Sequence, residues 1–449
     1  MSATKNKMNV WQLTILTAVN MMGSGIILLP TKLAQVGTIS IFSWIITAGG
    51  SLALAYAFAR CGLLSRKPGG MGGYAEYAFG KAGNYMANYT YGLSLVIANV
   101  AIAITAVGYG TVLFNVTLSP IQTCIWTIIL LVITTVANFG GARITGRIGA
   151  ITVWGVIIPV VVISVIGWFW FSAGTWGAAW DPHNTPFGEA VGSSISITLW
   201  AFLGLESACA NADAVENPPR DVPIAVLGGT IGCAIVYIIS TNVIAGIIPN
   251  ADLAASNAPF GLVFATMFNG MVGNVVTAVM VIACIGSLLG WQFTVAQVFK
   301  SSAEVGYFLP VFAISTKSGT PIVCMLILLV AQVALSLMTI SPELTTQFQK
   351  VVDLAVVTNL VPYVMSMAAL ITIQNVSGVP RQQALITNIV AMIGTVYSFY
   401  ALYSSGEQAL MLGGLCVFAG WTLFGFVSAR FYRMEVAAHV KDPGKSLQA

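Results

Sequence analysis

Charged positions are spaced so widely along this chain that the gaps between them predict its elements. Residues 8–31, 33–59, 82–142, 148–180, 222–251, 253–299, 318–342, 354–380, 382–406 and 408–429 carry no charge, and 190–212 carries only Glu206. A helix needs about 20 apolar residues to cross the hydrocarbon of a bilayer. The run 82–142 is long enough for two such helices, with a turn signal inside it at Phe114-Asn115-Val116-Thr117-Leu118-Ser119-Pro120. The pattern predicts twelve transmembrane helices, centred at roughly residues 22, 50, 98, 130, 160, 201, 236, 286, 331, 362, 394 and 419. Membrane β-strands would instead alternate over segments of about 10 residues.

Two spans carry interruptions. The first reads Asn20-Met21-Met22-Gly23-Ser24-Gly25-Ile26, a poor helix sequence because each Gly costs about 1 kcal/mol relative to Ala. Close packing of small residues is the competing reading, but those glycines are two apart rather than four. The sixth reads Trp200-Ala201-Phe202-Leu203-Gly204-Leu205-Glu206-Ser207-Ala208-Cys209. An acid at mid-span costs about 2.5–3.5 kcal/mol to insert, so it reads as a functional group facing the interior. The plainer reading is a protonated Glu bonded to a neighbour.

Breaks five spans apart predict an all-α polytopic fold with a five-plus-five inverted repeat, substrate lying where the broken helices meet. Unwound backbone must line a polar cavity or meet a ligand. The chain then divides into an N-terminus (1–9), a first repeat (10–172), a second repeat (190–374), two extra helices (384–429) and a tail (430–449).

Composition removes the alternatives. Charged residues are 7% of the chain and mean hydropathy is +0.88, whereas a soluble protein carries about 25% charge. Of the 18 basic residues, all but Lys32 and Lys350 fall on the side of the termini. The positive-inside rule puts both termini in the cytoplasm. The net charge of +4 therefore reports topology rather than nucleic-acid binding. The first span is too long for a cleaved signal peptide and lacks a small-residue cleavage site. The seven cysteines form no CxxC pair and read as buried apolar thiols. His183 and His439 lie in a loop and in the tail, which leaves no histidine for a metal site or proton relay inside the membrane. No cofactor is implied and no enzyme motif survives. The Gly69–Gly73 cluster before Gly80-Lys81 has the wrong spacing for a P-loop, with Ala82 where Ser or Thr should stand.

The predicted cavity holds one acid, Glu206, and no basic residue at depth. Trp200, Trp291 and Tyr91 supply aromatic faces, and Asn99, eight residues after Tyr91, reads as two turns along the same face. An acid among aromatic faces suits a cation, with cation–π contact worth about 0.5–2 kcal/mol. Trp168, Trp170, Trp176 and Trp180 read as an interfacial belt. For Trp200 and Trp291 the belt and the site both stay open. Asp353, three residues after Lys350, reads as a cap at the start of the tenth helix. Glu76, in Gly72-Gly73-Tyr74-Ala75-Glu76-Tyr77, reads equally as gate or loop.

These motifs resemble those of the basic amino acid/polyamine antiporters of the amino acid–polyamine–organocation superfamily, over essentially the full length. The matching stretches are the two broken-span sequences, Gly72-Gly73-Tyr74-Ala75-Glu76-Tyr77-Ala78-Phe79-Gly80, Glu216-Asn217-Pro218, Val222-Pro223-Ile224-Ala225 and Gly286-Ser287-Leu288-Leu289-Gly290-Trp291. The resemblance implies a multi-pass exchanger of the bacterial inner membrane. It implies that the backbone at Ser24 and Gly25 holds an α-carboxylate and that Trp200 packs the substrate stem. Trp291 then belongs to the cytoplasm-side closure, Glu206 and Tyr91 are proton-responsive gates, and Asn20 and Asn99 line the cavity. Cys61, Cys209 and the aromatic run near Trp421 match the polyamine branch; Phe424 stands where that branch's putrescine members carry Tyr.

The implied activity is exchange of external ornithine for internal putrescine, with proton-coupled putrescine uptake through the same site. Because decarboxylation of ornithine consumes a proton, acid resistance is the implied physiology. Lysine–cadaverine and arginine–agmatine exchange remain alternatives, as does a sodium-coupled symporter. A cation channel lacks its ring of charges or carbonyl filter here. The partners implied are small cations, protons and the lipid bilayer; a homodimer is left open.

Overall fold

The computed structural model describes residues 9–67, 69–206, 217–317 and 319–441. Among them the regular structure is helical, and it resolves into twelve spans. The first is built from Val10–Met21, a 3-10 turn at Ser24–Ile26, and Leu29–Val36. Ile41–Leu64, Met71–Leu113 and Pro120–Ala137 follow, then Ala142–Thr152 with Trp154–Ile166 as the fifth span. The sixth begins with Phe187–Gly192 and Ile195–Trp200. Pro218–Ile247, Gly270–Glu304, Ile322–Met338, Leu344–Val376, Arg381–Ser404 and Glu407–Lys441 complete the set. The last helix runs on through residues read from sequence as tail.

Local chemistry sets several of these ends. Asn9 accepts from the Gln12 backbone while the Gln12 side chain reaches back to Asn9, a capping box that starts the first span. Ser119 and Gln122 do the same for the fourth, with Pro120 at its first position. Gly80 has φ 62° and ψ −158°, which splits the short Glu76-bearing segment from the membrane part of the third span.

The third and tenth spans pack on each other most extensively and form the centre. In the tenth, 72% of the most apolar window is buried; in the twelfth, 17%. The twelfth therefore lies at the periphery, where exposed apolar groups such as Leu415 and Phe418 suit lipid. The breaks fall in the first and sixth spans, the placement of a five-plus-five repeat with two added helices.

The second and eleventh spans meet at Gly50, where an added Cβ would lie 2.0 Å from the Tyr397 ring. Overpacking of a filled core costs about 1–3 kcal/mol. Gly50→Val is expected to lower the melting temperature in detergent by several degrees, and an unchanged melting curve would show that this crossing yields easily.

Candidate functional site

The first helix stops at Met21 because Gly23, Ser24 and Gly25 do not hold it, and it restarts at Leu29 with Pro30 in the first turn. The sixth loses regular helix after Trp200 and turns at Gly204, whose φ is +107°. The two unwound stretches touch through backbone. A Cβ on Gly204 would lie 3.1 Å from the Asn20 carbonyl oxygen, and one on Gly25 would lie 3.5 Å from Ala201 Cα.

Between them is a cavity of about 50 Å³. Asn20, Gly25, Tyr91, Trp200, Glu206 and Trp291, all singled out from sequence, line it, and among the described residues no lysine, arginine or histidine does. Glu206 is 8% exposed. Its Oε2 accepts from the Tyr363 hydroxyl at 2.5 Å and from the Gly204 N–H at 3.1 Å. Tyr91 is a further neighbour of the same carboxylate. Trp200 stands edge-on to Phe348 at 6.5 Å. The buried Trp200 indole N–H has no acceptor among the described residues, a state costing about 1–3 kcal/mol for a buried donor. An anionic charge, three aromatic faces and an open donor suit a ligand with a cationic end and an apolar stem.

Sequence reasoning missed three residues. Tyr363 touches Glu206 directly, and Ser94 and Asn359 line the cavity, joined by Ser94 Oγ donating to Asn359 Oδ1 at 3.0 Å. Pro362 before Tyr363, with Asn359 four residues earlier on the same face, was the available signal.

Other expected residues lie elsewhere. Asn99 is fully buried and does not line the cavity; Ala98 does. At 3.6 residues per turn, eight residues leave an offset of about 80°, whereas seven return to nearly the same face. Asp353 is not a cap. The tenth helix begins at Leu344, more than two turns earlier, and Asp353 accepts from Ser196 Oγ at 2.6 Å and Gln349 Nε2 at 2.7 Å. Cys61 is buried between the second and tenth spans, its Sγ 3.8 Å from the Ser366 carbonyl oxygen. Phe424 packs on Tyr85 at 5.1 Å, away from the cavity, and Trp421 is 47% exposed. The hydroxyl missing at Phe424 therefore takes no polar group from this cavity. The backbone of Ser24 lies in the 3-10 turn; its side chain, and Cys209 entirely, lie outside the described residues.

A larger cavity, about 500 Å³, lies on the side of the termini and shares Asn20, Gly23, Tyr91 and Trp291 with the small one. On the far side a vestibule of about 670 Å³ shares no lining residue with either. Closure there comes from Trp200 against Phe348, Tyr109 donating to the Ile27 carbonyl at 2.9 Å, and Thr31 donating to the Ser256 carbonyl at 2.7 Å. The protein is thus closed to the far side, and Trp291 stands between the small cavity and the terminal-side one.

Glu76 lies away from this cavity. It pairs with Lys67 at 2.8 Å and accepts from Asn84 at 2.7 Å and Tyr307 at 2.8 Å. It therefore ties the loop before the third span to the loop after the eighth. Burial first, then the Glu76 bond and charge, raise the Tyr307 phenol above its ordinary value.

Comparison with known proteins gives one family match, to the amino acid permeases, over residues 8–438. A putrescine transporter, PotE, of Escherichia coli K12 is 66% identical over 429 residues, covering 96% of this chain and 98% of that protein. The putrescine transporter PotE of Haemophilus influenzae is 64% identical over 431 residues, covering 96% and 99%. A cadaverine/lysine antiporter of Escherichia coli K12 is 34% identical over 444 residues, covering 97% and 96%.

Proposed function

The chain belongs to the amino acid permease family, and from that premise we propose that it exchanges external ornithine for internal putrescine across a bacterial inner membrane. It is a membrane transporter and not an enzyme. The observation that carries the substrate reading is Glu206, the sole charged side chain among the described residues lining a cavity walled by Trp200, Tyr91 and Trp291. The near-full-length relatives named as putrescine transporters support it.

In this reading Glu206 takes the ammonium that both ligands share, and the aromatic rings pack the methylene stem. The unwound backbone at Gly23–Gly25 offers N–H groups to the carboxylate that only ornithine carries. Each repeat, 10–172 and 190–374, contributes one broken helix to the site. The basic-residue asymmetry places the termini in the cytoplasm, so the 500 Å³ cavity is the cytoplasmic approach and Trp291 its closure.

Exchanging a +1 diamino acid for a +2 diamine carries one net charge outward, which costs about 2.3 kcal/mol per 100 mV of inside-negative potential. Net export needs a putrescine gradient, which decarboxylation of imported ornithine would maintain while consuming internal protons. Protonation of Glu206 lets the same site run proton-coupled putrescine uptake.

Counterflow tests the reading. Vesicles loaded with putrescine should release it on adding ornithine, and far less on adding lysine, arginine or agmatine. Release by lysine alone would reassign the protein to cadaverine–lysine exchange; release by none would end the exchange reading. Tyr363→Phe removes a hydrogen bond to a charged group, worth about 1.5–3 kcal/mol. It should raise the KM for putrescine at least about tenfold; an unchanged KM would mean the phenol serves packing alone.

A further inference from the structure

Trp291 stands between the two cavities, and its neighbour Gln292 faces another way. Successive side chains leave a helix about 100° apart. Trp291, Phe293 and Thr294 line the terminal-side cavity, whereas Gln292 lines neither that cavity nor the small one. It is buried, at 5% exposure, in the crossing of the eighth span with the fourth and ninth. Its Nε2 donates to the Leu131 carbonyl at 3.2 Å and to Thr135 Oγ1 at 3.1 Å, both on the fourth span, and to Gln332 Oε1 at 3.1 Å on the ninth. Thr135 is oriented for this: its own hydroxyl hydrogen goes to the Leu131 carbonyl at 2.7 Å, which leaves a lone pair free to accept. A second tie lies three residues earlier. Asn138, at the end of the fourth span, donates from Nδ2 to the Leu289 carbonyl at 3.0 Å, and Thr145 of the fifth span donates to Asn138 Oδ1 at 2.7 Å. Between the ties sit Gly290 and Trp291. A Cβ on Gly290 would meet nothing within 4 Å, so no neighbour packs against the helix at that position. Among the described residues, neither the fourth span nor the ninth lines either cavity. The ties therefore anchor this turn to helices outside the ligand path.

We propose that Gln292 is a positioning residue, whose bonds to the fourth and ninth spans set the rotation of the eighth so that Trp291 stands across the passage between the two cavities. The inference rests on the reading of Trp291 as the closure there. Rotating the eighth span far enough to swing Trp291 aside would pull the Gln292 amide off its three acceptors. Held out of water, the amide and Gln332 would then lack partners, a costly state for buried polar groups. The network thus resists that rotation. Without it the Trp291 ring samples positions that leave the passage open.

The test is a double-mutant cycle read by thiol labelling. Ala98→Cys places a reporter in the small cavity, behind Trp291 as seen from the terminal side. A membrane-impermeant cationic methanethiosulfonate is added to that side in inside-out vesicles, and labelling of the same variants without A98C is subtracted. Trp291→Ala should raise the labelling rate at least about tenfold over the A98C parent, and Gln292→Leu at least about fivefold, whereas adding Q292L to W291A should change it less than about twofold. A general loosening of the helix packing would act in both backgrounds. W291A labelled at the parental rate would overturn the closure reading and the positioning role together. Fast labelling of W291A with Q292L at the parental rate, or an equal effect of Q292L in both backgrounds, would overturn the positioning role alone. If Q292L does not reach the membrane, the Q292L/Q332L double decides, because it removes both amides and strands neither. Fast labelling of that double supports the role, and the parental rate overturns it. Labelling needs no substrate, so the cycle reports on Gln292 even where counterflow defeats the putrescine reading.

Discussion

Glu206→Gln should lower putrescine counterflow by at least about 30-fold while leaving the protein in the membrane. The substitution keeps the shape of the side chain, and Tyr363 can still donate to the amide oxygen. What disappears is the charge opposing the ligand ammonium, and losing one partner of a buried charge pair costs about 2–5 kcal/mol. The lower figure is already about 30-fold in affinity. Aspartate at this position should retain part of the activity, because it keeps the charge one methylene short of Tyr363. Wild-type rates for the Gln variant across a range of pH would falsify the role given to Glu206.

Gly204→Ala carries the second large effect, and it acts through backbone. A φ of +107° is a conformation that L side chains rarely adopt, with a strain cost of about 1–3 kcal/mol. The added Cβ would also lie 3.1 Å from the Asn20 carbonyl oxygen, pressing the two unwound stretches apart. The Gly204 N–H donates to Glu206, so the shift would disturb the acid as well. Transport should fall about 10- to 100-fold, with a drop of a few degrees in melting temperature. Normal transport with normal stability would mean that the turn relaxes without consequence.

The fold was legible because charge is rare in this chain. Where a charged residue interrupts an apolar run, the helix is leaving the membrane, and eleven gaps, one of them long enough for two helices, became twelve spans. The two breaks were legible because Gly23, Gly25, Gly204 and Glu206 conflict with the needs of a membrane helix. The same rule misled at the tenth span. Asp353 reads as the start of that helix, yet the helix starts at Leu344, since a helix can continue past the apolar run with charges in its end turns. Asn99 was misplaced by helical arithmetic, an offset of about 80° taken as none. Pro362 is the one sequence mark beside Tyr363 and Asn359, because a tyrosine and an asparagine in a continuous helix disturb no hydrophobic pattern. Only the packing of the tenth span against the sixth brings them to Glu206 and its cavity. Phe424 marks a different limit: which neighbour an aromatic ring meets depends on the crossing of two spans remote in sequence.

The contact between the two unwound stretches is made by main-chain atoms, Gly204 against the Asn20 carbonyl and Gly25 against Ala201. Side-chain substitution around the cavity leaves that joint untouched. Ligand preference can therefore drift, one wall residue at a time, without loosening the mechanical linkage between the halves. A lineage built this way would acquire new cargo more readily than it would acquire leaks.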